Sequence, residues 1–496
     1  MTRLAAAVVG ITSAALGLAA GHLLASLVGP ASSPVVAVGA TVVDLVPAWL
    51  KEFAIAAFGT ADKTVLLGTV LFVLAAASAG LGVLALKSRR LALTGVLALG
   101  ALAGIAALTR PSAGMLAALP SLATIAVAWI ALTGQLGRLA PPHATPQPTV
   151  DRRRFLVTTG GTLAGAGLLA ALGDVLKRPP SEPLALPPNP TPSPPLPGAL
   201  DATVPGITPL RTPTGEFYRI DTALSLPRVD PSTWRLQIDG MVAEPYSLTM
   251  DELLALPLVE RDITLTCVSN EIGGNLCGST RWRGVLVADL IRRAKPDAAA
   301  DQVLSRSIDG FTASTPIDVM LDGRDAMIAL TMDGEPLNAE HGAPARLVTP
   351  GLYGYVGATK WLTRLTVTTF EAEPAYWTRR GWSERGPVKT ATRIDTPRGD
   401  IASGTVAIGG VAWATHRGVT AVQVSIDEGP WVDATLGLDV GVDYWRQWYL
   451  PWDATPGEHR IAARAIDGTG DVQTDEVRDV IPDGATGHHI VTVTVA

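Results

Sequence analysis

The 496-residue chain has two cysteines, Cys267 and Cys277, both within LTCVSNEIGGNLCGSTRWRGV. Cys267 ends an alternating apolar run, RDITLTCV, and is followed at once by the polar, glycine-bearing SNEIGG, where a strand hands over to a loop. A thiol at such an exit can be presented into a cleft while the sheet holds its backbone; it can equally be a small buried hydrophobe. Cys277 lies beyond a Gly-rich loop, so a disulfide between the two is sterically conceivable. No paired C-x-x-C is present, so any metal needs ligands other than a cysteine-rich knuckle or an iron–sulfur motif. Taken singly, His341 reads as a capped loop histidine and Arg219 and Lys360 as surface charges. Tryptophans such as Trp282 and Trp361 read as packing. The adjacent His488 and His489, without further ligands at usable spacing, read as surface residues.

The length exceeds what one hydrophobic core serves, so two or three domains are expected. A net charge of −6 with no long basic run gives no field for nucleic acid. Apolar residues concentrate in the first 178 positions. Five stretches there, near Leu4–Leu27, Thr64–Leu86, Leu91–Leu108, Leu116–Leu136 and Phe155–Leu176, have about the 20 residues needed to cross a hydrocarbon layer as helices. Between the first two, a segment interrupted by Asp44, Pro47, Lys51 and Glu52 and carrying Trp49 reads as an amphipathic interfacial helix, with a sixth span as the alternative. With the N-terminus inside, Arg3, Lys87, Arg89, Arg90, Arg138 and Arg152–Arg154 are cytoplasmic, and the positive-inside rule delivers everything after Lys177 to the extracytoplasmic side. The fifth span opens DRRRFLVTTGG, which resembles an internal twin-arginine export signal and serves equally as an ordinary anchor with positive flanks.

Beyond the spans, Arg178–Pro213 is Pro-rich and favours extended polyproline II structure, a spacer. The region to about Thr369 mixes short strands (WRLQIDG, TRLTVTTF) with helical pieces (MDELLAL, VLVADLIRRA), an α+β texture. After Pro387, alternating strands separated by turn signals (VAIGGVAWA, AVQVSIDEGPW, HRIAARAIDGTG) argue an all-β sandwich of immunoglobulin-like type.

The order of four motifs, TPTGEFYRIDTALSLPRVDPSTWRLQIDGMV, LTCVSNEIGG, MDGEPLNAEHGAPARLVTPGLYGYVGATKWL and RIDTP with GVAWATHRGV, resembles the sulfite oxidase superfamily. Among its members, the bacterial membrane-anchored molybdopterin-dependent oxidoreductases match best. The resemblance covers Thr212–Val495 and implies a molybdenum–molybdopterin cofactor. In that family one cysteine is the protein's ligand to molybdenum, a soft thiolate completing a sulfur-rich shell. Cys267 matches it and Cys277 matches nothing assigned, while a disulfide between them would be incompatible with ligation. His341 and Arg346 match cofactor contacts, the arginine suited to a phosphate. Ala358, Thr359 and Lys360 match the backbone and lysine around the pterin. Phe217, Tyr218, Arg219 and Asp221 match the first cofactor loop, with Arg219 at the position that faces an anionic substrate. Asp309, with Thr312 as its substitute, matches a further polar contact. One departure stands out: Leu330 occupies the place of the substrate-side tyrosine.

The expected organisation is a membrane domain (1–178), a Pro-rich linker (179–211), an α+β molybdopterin domain (212–386) and an immunoglobulin-like domain (387–496) whose family role is homodimer contact. The implied activity is oxygen-atom transfer on a small oxyanion or S-oxide, with molybdenum cycling between Mo(VI) and Mo(IV), in a protein held in membrane lipid and served by a separate cytochrome or quinone-linked electron partner. The alternative is a catalytically silent cell-surface binding module that keeps the fold. Topology is directly testable: protease added to intact spheroplasts is expected to remove the region after Lys177, and full protection would reverse the orientation.

Overall fold

The structure, a computed structural model, describes residues 2–47, 50, 53, 57–58, 61–111, 113–139, 152–176, 184–189 and 191–496. It forms two compact units, Met1–Pro180 with Thr222–Pro227, and Ser181–Asp221 with Arg228–Ala496.

The first unit is helical: α1 (Arg3–Val28), α2 (Pro34–Leu45), α3 (Asp62–Ala85), α4 (Arg89–Leu108), α5 (Leu119–Leu139) and α6 (Arg152–Leu176). All but α2 are long and apolar enough to cross a membrane. Small residues let α1 lie close to its neighbours; a Cβ on Gly10 would sit 2.1 Å from the Ser78 carbonyl oxygen of α3. Some buried polar groups are paired across the helices, as apolar surroundings favour. The Thr12 hydroxyl donates to Gln135 Oε1 (3.2 Å) and Gln135 Nε2 donates to Ser13 Oγ (2.9 Å), joining α1 to α5. Of the expected interfacial helix, Pro34–Leu45 is helical and Asp44 pairs with Arg110 (2.8 Å), whereas Trp49, Lys51 and Glu52 lie outside the described residues.

The described part of the Pro-rich segment differs from a free spacer. Its chain lies along the second unit, with Leu184 and Leu186 against the core. The Pro188 carbonyl accepts from Arg283 (3.1 Å), those of Ser193 and Pro194 accept from Arg281 (3.0 and 2.6 Å), and the Ser193 N–H donates to Glu260 Oε2 (2.8 Å). Polyproline II leaves every carbonyl without an internal partner, so guanidinium groups can take them. Arg281 and Arg283 decide where the segment docks.

Ten strands follow in chain order: β1 (Arg235–Gly240), β2 (Tyr246–Thr249), β3 (Val259–Thr266), β4 (Cys277–Leu286), β5 (Gln302–Ser307), β6 (Thr312–Pro316), β7 (Met327–Met332), β8 (Glu335–Pro336), β9 (Arg346–Val348) and β10 (Leu362–Thr368). One sheet runs β2-β1-β10-β5-β6 and the other β3-β4-β7-β8, with β9 paired to β7. Four short helices fill between them: α7 (Met250–Leu254), α8 (Val287–Ala294), α9 (Ile317–Leu321) and α10 (Gly354–Gly357). A capping box, Thr249 with Glu252, starts α7. In α8 the buried Val287, Leu290, Ile291 and Ala294 recur at helical spacing and face one core with Leu236, Ile238 and Leu365 of the first sheet.

The β3–β4 pair is buried on both faces. Residues Ile263 and Leu265 of β3 and Trp282 of β4 point to one side, with Phe217. On the other side, Thr264 and Ser279 share a short hydroxyl contact, the Trp445 N–H donates to Thr264 Oγ1 (2.7 Å) and Trp445 Nε1 donates to the Leu210 carbonyl (2.7 Å). That side receives the C-terminal region.

The C-terminal region contains β11 (Ala391–Thr396), β12 (Gly399–Ile401), β13 (Gly404–Trp413), β14 (Val419–Ile426), β15 (Val432–Asp433), β16 (Thr435–Leu436), β17 (Arg446–Ala454), β18 (Gly457–Asp467) and β19 (His489–Val495). Its sheets, β11-β13-β17-β16 and β12-β19-β18-β14-β15, share a core of Ile394, Ile408, Val422, Trp448, Ile461 and Val493.

The reading of His488 and His489 as surface residues needs correction for the second. The alternation of β19 turns His489 inward, where it is 8% exposed and its Nδ1 accepts from the Ile394 N–H (2.9 Å). Its ring abuts Gly273 of the loop after β3; a Cβ there would lie 2.2 Å from Nε2, and the backbone has φ +72°. Burial, with Arg398 and Arg393 nearby, pulls the His489 pKa from 6.5 down to about 4. Between those values the unfolded chain binds a proton that the folded one refuses. Stability is therefore full above pH 6.5 and falls as pH drops toward 4, by at most about 1.4 kcal/mol per pH unit from this group. Denaturant unfolding across that window is expected to show the slope, and His489→Gln, which keeps an acceptor for Ile394, is expected to flatten it; an unchanged slope would remove His489 from the account.

Candidate active site

The loop leaving β3 is fastened at both ends. The Cys267 N–H donates to the Leu276 carbonyl (2.9 Å), the Asn270 N–H to the Cys267 carbonyl (3.1 Å), and Asn270 Oδ1 accepts from the Leu276 N–H (2.8 Å). The register pairs Thr266 with Cys277, and Cys277 Sγ lies 3.3 Å from Thr266 Oγ1. Neighbouring residues of a strand face opposite ways, so Cys267, one residue on, points to the other face of the sheet. The thiols are free, and the disulfide left open by spacing is disfavoured by register. Cys277 packs with Val268, Leu352 and Tyr353, and burial pushes its thiol up to about 12. Cys267, also buried, has its pKa raised by burial while the backbone and side chain of Ser269 hydrogen-bond its sulfur and act to lower it. Ser269 was missed in the sequence; its place two residues beyond the cysteine, in a turn, was the available signal.

The loop Thr214–Asp221 forms an adjoining wall. Phe217 stacks on Tyr218 (centroids 5.3 Å) and meets Trp282 (5.8 Å) and His341 (5.9 Å) edge-on. It fits because β4 has glycine opposite: a Cβ on Gly278 would lie 2.8 Å from the ring. The Tyr218 phenol pKa is raised well above its usual value, chiefly by burial and then by the Cys267 thiol beside it.

His341 comes from the turn between β8 and β9, and Arg346 opens β9. Asn338 Oδ1 caps this turn by accepting from the His341 N–H (2.9 Å). Burial and the Arg346 charge bring His341 down to about 4, so the imidazole is neutral near pH 7. A neutral ring whose Nε2 lies 3.0 Å from the Thr214 carbonyl must carry its proton there, leaving Nδ1 as an acceptor. Arg346 is 6% exposed. Its NH1 donates to the His341 carbonyl (3.2 Å), its NH2 to that of Ala358 (3.3 Å), and it lies 5.1 Å from the Trp282 ring centroid. Its buried Nε has no hydrogen-bond partner among the described residues, and burial pulls its pKa to about 10. Trp282 therefore does more than pack, since its indole face supports a cation. A buried guanidinium held only by carbonyls and an indole suits an anion.

Lys360 donates to Asp221 Oδ2 (2.9 Å) and to the Glu340 carbonyl (3.1 Å), and burial pulls its pKa to about 8. Arg219 pairs with Asp221 Oδ2 through Nε (3.0 Å) and with Glu340 through NH1 (3.3 Å). Thr359, fully buried, meets Ser305 through its hydroxyl (2.7 Å) and ties the segment to β5. Phe217, Tyr218, Arg219, Asp221, Cys267, His341, Arg346, Ala358, Thr359 and Lys360 thus form one connected neighbourhood. Asp309 and Thr312 lie in the β5–β6 hairpin. The Asp309 carboxylate accepts from the Phe311 N–H (3.1 Å), and Thr312 Oγ1 accepts from that of Tyr376 (3.0 Å). Leu330 is wholly buried in the core of β7 with Leu347 and Leu362. Together the neighbourhood offers a buried thiol for a soft metal, a buried cation for a phosphate, and hydrogen-bonding groups for a polar fused ring; the residues fit a molybdopterin cofactor.

Comparison with known proteins agrees. The family model described as the oxidoreductase molybdopterin binding domain matches residues 223–377. The uncharacterized oxidoreductase YuiH of Bacillus subtilis (strain 168) is 33% identical over 157 residues, covering 32% of this chain and 76% of that protein. The mitochondrial sulfite oxidase of Homo sapiens is 29% identical over 308 residues, 52% of this chain and 56% of that protein, so the chain spans about half the length of the sulfite oxidases it matches. The sulfane dehydrogenase SoxCD from Paracoccus pantotrophus shares the fold, with a TM-score of 0.51 at 22% identity over 58% of this chain and 83% of that one. The chain belongs to the oxidoreductase molybdopterin-binding family, the sulfite oxidase superfamily, whose cofactor is molybdenum–molybdopterin.

Proposed function

We propose that this protein is a membrane-anchored oxidoreductase whose molybdopterin domain works on the extracytoplasmic side, transferring an oxygen atom to or from a small oxyanion or S-oxide. The observation that carries the reading is Arg346, a buried guanidinium with an unpartnered Nε, set among the same loops as the buried thiol of Cys267. When bound, the molybdenum cofactor supplies two-electron oxygen-atom exchange.

The chain's own residues hold and insulate that chemistry. Cys267 supplies the thiolate ligand, and the bonds from Ser269 stabilise its anionic form. Arg346 binds the phosphate, with Trp282 fixing the plane of the guanidinium. His341, neutral, offers Nδ1 as an acceptor to a ring donor. Thr359, Ala358 and Lys360 line the pterin, and Asp309 and Thr312 support the hairpin at its border. Tyr218 and Arg219 form the wall open to substrate.

The five apolar helices support the anchor, and the Lys/Arg asymmetry of their ends supports the orientation. The domain limits proposed are 1–178, 179–211, 212–386 and 387–496, the last an immunoglobulin-like sandwich offering homodimer contacts. A separate cytochrome or quinone-linked protein exchanges electrons with the site.

Purified wild type from a host competent for the cofactor is expected to contain molybdenum at close to one per chain. X-ray absorption should count one more sulfur neighbour in wild type than in Cys267→Ser. Arg346→Met should lower molybdenum content at least about tenfold, since it removes the charge-assisted bonds to phosphate. Metal-free wild type from such a host would overturn the reading.

A further inference from the structure

The cations around the site are not equivalent. Arg346 is buried with no carboxylate among its hydrogen-bond partners, whereas the charge of Arg219 is already answered within the chain. Asp221, its side chain 3% exposed, places Oδ2 between Arg219 Nε (3.0 Å) and Lys360 Nζ (2.9 Å). Glu340 closes on Arg219 NH1 from the other side (3.3 Å), and its backbone carbonyl takes a second bond from Lys360 (3.1 Å). Two cations and two carboxylates make this wall electrically neutral. An anion seeking Arg219 would meet a buried carboxylate and a second, exposed one bound to the same guanidinium. Displacing Asp221 would also strip Lys360 of its counter-ion in a place where an unpaired ammonium is costly.

We infer that Asp221 and Glu340 are specificity-determining residues, and that they turn the site away from oxyanions toward an uncharged dipolar oxide, an S–O or N–O compound whose oxygen needs hydrogen-bond donors and no net positive charge. This rests on the oxygen-atom-transfer reading and narrows its substrate class. Such an oxygen carries partial negative charge, which the outward edge of the half-exposed Arg219 guanidinium can meet without unmaking an ion pair.

The test is a gain of binding, which structural damage does not imitate. Sulfate, an unreactive dianion, is titrated calorimetrically into wild type, Asp221→Asn and Glu340→Gln, with molybdenum measured on the same preparations. Sulfate is expected to bind each variant at least about tenfold more tightly than wild type, because each removes a like charge within a few ångström of the guanidinium. Should Asp221→Asn fail to fold, Glu340→Gln carries the test, its side chain being 54% exposed. Molybdenum-loaded wild type that binds sulfate as tightly as the variants would overturn this inference and leave the oxidoreductase reading standing. Wild type without molybdenum would overturn both.

Discussion

The pleat of a single antiparallel pair, β3 against β4, governs the second unit. Successive side chains on each strand must face opposite ways. One face carries Ile263, Leu265, Trp282 and the glycine that admits Phe217, and there the site is assembled. The other carries Thr264, Ser279 and Cys277, and there the C-terminal region docks through Asp443 and Trp445. A slip of one residue would exchange the two sets, burying hydroxyls under Phe217 and placing Cys277 where Cys267 belongs. The register thus decides at once which thiol reaches the candidate site and which surface receives the C-terminal region.

Electrostatics then divides the site. Arg346 sits deep on carbonyls and an indole, while Arg219 and Lys360 share Asp221. Burial is the first cause that lowers the pKa values of Arg346, Lys360 and His341, joined at His341 and Lys360 by neighbouring cations, so each group is held in a region where charge is expensive and its partners matter. The buried Arg346 has carbonyls and an indole as its partners among the described residues, a setting that suits an anion. In the Arg219–Asp221–Lys360–Glu340 cluster, by contrast, the charges answer one another within the chain.

Much of this was legible in the sequence. The five long apolar helices, the α+β texture followed by all-β, and the motifs containing Cys267, His341, Arg346 and Lys360 were all readable from periodicity and order. Long-range pairing was not. Nothing local told that Asp221 would answer both Arg219 and Lys360, that Trp282 would lie under Arg346, or that His489 would turn inward against Gly273, because each depends on which strands become neighbours. The Pro-rich segment shows the same limit from the other side: its want of α-helix and strand among the described residues followed from composition, its docking from Arg281 and Arg283, 88 and 95 residues from the carbonyls they take.

That docked segment also bears on how copies of the chain meet. β3 is the outer strand of its sheet, and an outer strand with unpaired backbone groups invites a second chain to add to it. Here the Ser193 hydroxyl takes the Glu260 carbonyl, and the Asp443 carbonyl takes the Thr264 N–H. The proline-rich cover is a poor template for a sheet of its own, since the prolines closely spaced from Pro187 to Pro197 lack the N–H that a ladder needs. A segment that looks like mere tether is therefore also a guard against aggregation, laid over the strand that delivers the cysteine.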